Sequence, residues 1–306
     1  MSDLTINRNK RKLGQSSLEV APIAYGMWRF AGTNEAEATA KVEAALTAGI
    51  NLFDTADVYG LDSNMHFGAA EELLGEVLKA HPGLRDKMVI ASKGGIIPGT
   101  PYDSSADYLR KACEASLTRM KVDVIDLYQV HRPDLLTHPA ELAATLTALR
   151  EEGKIREIGL SNVTASQIRA LQSHLDAPLA TQQPEFSAIA IAPVTNGVLD
   201  LCMSWDMTPL AWSPLAGGRL LLDASEAPTP QLADVITTLD RIADAHGVSR
   251  TAIALAFVLA HPSQPIPIIG SQTPTRIADA MTALGVTLSR KEWYSVYEAA
   301  LGQPLP

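Results

Sequence analysis

Cysteine is scarce in this chain, and its scarcity excludes several chemistries at once. Only Cys113 and Cys202 occur in 306 residues, and they share no metal-binding or redox spacing. A disulfide framework is thereby excluded, no metal site is expected, and both thiols are expected to stay reduced in a cytoplasm. Positive charge is in deficit too: the net charge is −9 and the pI is near 5.3, which argues against a nucleic-acid partner. The basic cluster Arg8-Asn9-Lys10-Arg11-Lys12 reads as a solvated arm, because no apolar segment follows it as a secretory signal would require. Asn162-Val163-Thr164 is then a chance match to the glycosylation pattern. Long hydrophobic runs are missing. The longest, Ala252 to Ala260, is too short and too rich in alanine to span a bilayer, so no membrane partner is expected. Glycine-rich nucleotide fingerprints are absent as well: neither G-x-G-x-x-G nor a Walker A sequence occurs.

What is present is an ordinary globular composition, 46% hydrophobic and 19% charged, patterned as apolar strands alternating with amphipathic helices. The strands are expected at Ala21–Tyr25, Ile50–Phe53, Met88–Ser92, Val122–Val130, Ile155–Leu160, Leu179–Gln183, Thr208–Trp212 and Pro265–Ile269. Helices are expected between them, among them Asn34–Ala48 with a cap-like Asn34/Glu37 opening, Ala106–Met120, Val194–Trp205 and Arg276–Leu284. Two helices, Gln231–His246 and Arg250–Ala260, precede the eighth strand, and Arg290–Leu301 closes the chain. Lys12 to Val20, with Gly14, reads as a small N-terminal hairpin. Eight βα units with no linker composition and no low-complexity segment predict a (β/α)8 TIM barrel, one domain over residues 1–306. The rival, an open doubly wound sheet, would be favoured by the dinucleotide fingerprint that is missing.

Barrel enzymes carry their chemistry at the C-terminal ends of the strands. The second strand ends at Asp54 with Tyr59 in its loop, the third at Lys93 and the fourth at His131. Singly, these read as a turn cap, a loop lysine and a hydrogen-bonded core histidine. Together they form an acid unit. Lys93 beside Tyr59 would lower the phenol's pKa, Asp54 would hold Lys93 charged, and His131 would orient a substrate oxygen.

This ordered quartet resembles the tetrad of the aldo-keto reductase superfamily, and the resemblance covers nearly the whole chain. Gly26-Met27-Trp28 resembles the first-strand segment of that family, and Gly159-Leu160-Ser161-Asn162 its fifth-strand ending. Gln182-Gln183-Pro184-Glu185-Phe186 places Gln183 on the family's glutamine. Ala211-Trp212-Ser213-Pro214-Leu215-Ala216-Gly217-Gly218, continuing to Arg219, is similar to its seventh loop, and Pro267-Ile268-Ile269-Gly270-Ser271 with Gln272 and Arg276 to its adenosine-phosphate segment. The chain looks like a bacterial-type member without a long C-terminal loop over the pocket.

The resemblance implies a cytoplasmic NADP(H)-dependent reductase of a small-molecule carbonyl substrate. Asp54, Tyr59, Lys93 and His131 would be catalytic, and Trp28, Tyr59 and His131 would meet the substrate. Ser161, Asn162 and Gln183 would hold the carboxamide and Trp212 the nicotinamide ring. Loop Ser213–Arg219 would take the pyrophosphate, and Ser271 and Arg276 the 2′-phosphate, although Gly270 stands where the family often has a lysine. The alternatives are an NADP+-dependent alcohol or sugar dehydrogenase and a cofactor-sensing regulatory subunit. Oligomeric state is not fixed by the sequence.

Overall fold

The computed structural model describes residues 3–306, with the backbone alone for Asp62. A two-stranded hairpin, β1 (Arg11–Lys12) and β2 (Glu19–Val20), comes first. Eight parallel strands then close into a barrel: β3 (Ala24–Gly26), β4 (Leu52–Asp54), β5 (Val89–Gly94), β6 (Ile125–Val130), β7 (Ile155–Ser161), β8 (Thr181–Gln183), β9 (Thr208–Ala211) and β10 (Ile266–Ile269), with β10 pairing back onto β3. The predicted fold is the observed one.

The hairpin caps the N-terminal end of the barrel. Gly14 turns it at φ +59, and a Cβ there would meet the Ala180 carbonyl oxygen at 2.5 Å. The Asn51 side chain stitches the hairpin to β4, accepting from the Ala21 amide and donating to the Glu19 carbonyl, both at 2.8 Å.

Around the barrel run α1 (Glu35–Thr47), α2 (Ala69–Ala80), α3 (Ala106–Met120), α4 (Pro139–Glu151), α5 (Ala165–Gln172), α6 (Val198–Ser204), α7 (Pro230–His246), α8 (Arg250–Leu259), α9 (Pro274–Asp279) and α10 (Arg290–Leu301). Many of their starts are set by side-chain caps. Asn34 accepts from the Glu37 amide, and full capping boxes open α5 (Thr164 and Gln167) and α10 (Ser289 and Glu292). Two expected helices are shorter than the pattern predicted. Gly197 at φ +82 delays α6 to Val198. Pro274 at the first helical position starts α9 early, and a separate 3-10 turn over Ala280–Gly285 replaces its second half.

Alternation along the strands sorts the barrel interior into layers. Leu52, Val89, Ala91, Leu127, Leu210 and Ile266 fill the lower interior, with Leu13 and Val20 of the hairpin closing it from below. Phe53, Ile90 and Tyr128, one residue along, face the surrounding helices in the larger core. Asp54, Lys93, Gln129, Thr181 and Gln183 continue the inward set and are all buried, so the top of the interior is polar. Gly159 makes room for that layer: a Cβ there would lie 2.1 Å from Thr181 Oγ1 and 2.9 Å from Gln129 Cγ.

Candidate active site

Asp54 ends β4, and the chain beyond it continues to lean on β5. The Thr55 amide donates to the Ala91 carbonyl at 2.8 Å, and the Asp57 amide to the Lys93 carbonyl at 3.0 Å. This run delivers Tyr59 back over the barrel mouth. Its carbonyl accepts from Ala70 at the start of α2, and Gly60 turns the chain at φ +133, where a Cβ would meet the His66 carbonyl oxygen at 2.4 Å. His131 follows β6 directly and donates its amide to the Gly94 carbonyl at 2.9 Å.

The four predicted residues converge. Lys93 Nζ donates to Asp54 Oδ2 at 2.7 Å, to the Thr55 carbonyl at 2.8 Å and to the Tyr59 hydroxyl at 3.2 Å. The rings of Tyr59 and His131 meet edge to face with centroids 5.8 Å apart. Asp54 Oδ1 accepts from Gln183 Nε2 at 2.9 Å and from Gln129 Nε2 at 3.2 Å.

Ionisation follows from burial and these contacts. Burial pulls the Lys93 ammonium down, but Asp54 and Tyr59 more than restore it, so its pKa lies above the usual lysine value. Burial pushes the Tyr59 phenol up, helped by the Asp54 charge, and the opposing pull of Lys93 and Arg132 does not overcome it. The net direction is therefore opposite to the expected one. Lys93 moderates the rise in Tyr59 without reversing it, and the group held on the ammonium is a neutral phenol. Burial also drives His131 well below the usual histidine range, assisted by Lys93 and Arg132, so the ring is neutral near pH 7. A neutral phenol hydrogen-bonded to a buried cation, beside a neutral imidazole, can give a proton to an oxygen that gains negative charge.

The model of the aldo/keto reductase family matches residues 22–300. The chain belongs to the aldo/keto reductase family. It is 52% identical over 308 residues to a 6-dehydroglucose reductase of Novosphingobium aromaticivorans, covering 100% of both chains. It is 38% identical to a 6-dehydroglucose reductase of Agrobacterium fabrum, over 94% of this chain and 96% of the other. A thermostable aldo-keto reductase solved with the inhibitor epalrestat superposes with a TM-score of 0.80 at 26% identity, over 95% of this chain and 99% of that one.

Members of the family generally use nicotinamide cofactors, and most of the expected cofactor residues lie around the mouth. Asn162 is left-handed at φ +59. Its amide nitrogen donates to Ser161 Oγ at 2.7 Å, and its Oδ1 accepts from the Trp212 indole at 2.9 Å. Gly217 and Gly218 are left-handed, and a Cβ added at either would meet nothing within 4 Å, so backbone in this loop is open to close approach by a ligand. Ser213 is also left-handed, Pro214 is buried, Leu215 packs on the core and Arg219 is exposed. Past β10, Gly270 and Arg276 are exposed, while Ser271 and Gln272 are half-buried. The donors and the open backbone fit an anionic dinucleotide.

Some of the expected cofactor residues also have structural roles of their own. Met27 is fully buried, with its side chain packed in the core. At Gly26 a Cβ would lie 2.7 Å from Ile268 Cγ2, which makes that glycine a packing requirement of the β3–β10 seam. Gln183 commits its amide nitrogen to Asp54, in the tetrad's own layer. Trp28, in contrast, is 40% exposed at the mouth with the Arg29 guanidinium 5.1 Å from its ring.

Sequence reasoning missed Gln129. Its signal was available, because it follows Leu127 by two residues and must face inward with it. It also missed a buried acid behind the tyrosine loop. Asp57 is fully buried, its Oδ1 meets no partner among the described residues, and Oδ2 accepts from the Tyr108 hydroxyl at 3.4 Å. Two open depressions of about 620 and 460 Å³ lie at the hairpin end of the barrel, lined by residues such as Leu18, Arg150 and Arg156, and hold none of these groups. Among the described residues no cluster of His, Cys, Asp and Glu is placed to hold a metal ion.

Asp57 gives a pH signature. Burial, reinforced by the nearby Glu71, pushes its carboxyl up to about 8, against about 4 in an unfolded chain. A raised folded pKa means the folded state holds a proton that the unfolded state has released, so stability falls as pH rises through that window. We expect the stability of Asp57→Asn relative to the native chain to grow between pH 5 and 8 by up to about 1.4 kcal/mol per pH unit. Parallel urea unfolding curves across that range check it, and a pH-independent difference would remove Asp57 as a titrating group.

Proposed function

We propose that this chain is a cytoplasmic, single-domain NADPH-dependent reductase that converts aldehydes or ketones to alcohols. The observation that carries the proposal is the Tyr59 hydroxyl held 3.2 Å from a buried Lys93 ammonium that Asp54 grips at 2.7 Å. Tyr59 donates its proton to the carbonyl oxygen, and the ammonium stabilises the phenolate left behind. His131, neutral, donates a hydrogen bond to the same oxygen and fixes its position. When bound, the nicotinamide supplies the hydride. Ser161 and Asn162 would hold its carboxamide end, Trp212 would pack against the ring, and loop Ser213–Arg219 would take the pyrophosphate. The names of the two relatives make 6-dehydroglucose, a hexose carrying a carbonyl at C6, the first substrate to try.

Tyr59→Phe keeps the ring and removes the proton. Turnover of 6-dehydroglucose with NADPH should fall by a factor of about 10² to 10⁴, the usual contribution of general acid catalysis, while the NADPH dissociation constant barely moves. Near-native turnover would take Tyr59 out of the mechanism.

The preference for NADPH rests on Ser271 and Arg276. Helix α9 is a turn and a half long, so the side chains rather than its dipole must read the 2′-phosphate. A charge-assisted bond to phosphate is worth roughly 1.5–3 kcal/mol, about a tenfold to hundredfold preference. Arg276→Ala should weaken NADPH binding by that factor and leave NADH nearly unchanged, as read by paired fluorescence titrations. Equal losses for both cofactors would remove the NADP assignment.

A further inference from the structure

Arg132 follows His131 and precedes Pro133, which restricts its backbone and makes the turn stiff. The residue is half-buried, yet among the described residues its guanidinium has neither a carboxylate partner nor a hydrogen-bond acceptor. What it does meet is the face of Trp212, with Cζ 5.7 Å from the ring centroid. The carboxylate nearest in sequence is engaged elsewhere. Asp134 Oδ2 accepts from the Ser104 amide at 2.9 Å and the Thr137 hydroxyl at 2.7 Å, and Oδ1 accepts from the Leu136 amide at 2.9 Å. Asp134 thus shapes the turn and leaves the arginine unneutralised.

The Arg132 charge also reaches the reacting position, because it acts on both Tyr59 and His131. An arginine packed on an aromatic face keeps its in-plane N–H groups for a ligand, and those groups form a rigid fork matched to a pair of oxygens. A half-buried fork without a protein acceptor, beside the two groups that flank the carbonyl, is suited to read what lies next to that carbonyl.

We propose that Arg132 is a substrate-recognition residue that donates its fork to adjacent hydroxyl oxygens of a polyhydroxylated aldehyde, selecting sugar aldehydes over plain ones. The proposal rests on the carbonyl-reductase reading above. It assigns the selectivity to one side chain in the loop after β6.

The test compares kcat/KM with NADPH for three aldehydes: 6-dehydroglucose, cyclohexanecarbaldehyde, which has no hydroxyls, and succinic semialdehyde, which is an anion. In Arg132→Met the ratio of 6-dehydroglucose to cyclohexanecarbaldehyde should fall about tenfold to hundredfold, mostly through KM, as expected for losing hydrogen bonds from a charged donor. Arg132→Lys keeps the charge without the fork and should recover only a small part of the ratio. It also serves as the second variant should the methionine protein fail to melt cooperatively. Equal losses on 6-dehydroglucose and cyclohexanecarbaldehyde, full rescue by lysine, or the largest loss on succinic semialdehyde would overturn the proposal. Native protein that reduces none of the three would instead overturn the reductase reading itself.

Discussion

The site depends on one buried ion pair. Lys93 and Asp54 are almost wholly removed from water, with side chains 0% and 3% exposed, and such a pair is tolerable only if its remaining hydrogen-bonding capacity is met. The barrel meets it. The Thr55 carbonyl takes a second ammonium proton, the Tyr59 hydroxyl takes another, and Gln129 and Gln183 cover the far carboxylate oxygen. The strand residues among these face inward because alternation puts them there, and Gly159 leaves the volume they need. The apolar layers below and the hairpin plug beneath them keep water from entering the pair from the closed end.

The same pair sets the protonation pattern of the mouth. A fixed cation beneath a buried phenol restrains the rise that burial imposes on Tyr59, and with Arg132 it reinforces the burial that keeps His131 neutral. The result is one stable positive charge, one neutral proton donor and one neutral orienting ring, all in mutual reach. An oxygen developing negative charge there meets donors already in place, which is the condition for electrostatic stabilisation without reorganisation. Arg132 adds a second cation further out, where the loop after β6 stands over Trp212.

Much of this arrangement was legible in the sequence. Eight alternating units announced the barrel, and a charged or polar residue terminating an apolar strand marked Asp54, Lys93 and His131. Other features depend on three-dimensional balance. The direction of the Tyr59 shift could not be read from its neighbours' charges, because the depth of burial that outweighs Lys93 is not a property of the motif. Met27 sits in a segment that borders the mouth, yet its side chain turns into the core. The division of the last βα connection into α9 and a 3-10 turn left no periodic signal to detect.

Asp54 and Lys93 act as one unit on which the polar layer rests. A double-mutant cycle in unfolding free energy with Asp54→Asn and Lys93→Met measures that coupling. Each single change strands a buried charge or its donors and should cost about 3–5 kcal/mol. The double change leaves no unpaired charge, so it should cost less than either single change. Losses that simply add would show that the two residues are independent and that the polar layer does not rest on the pair.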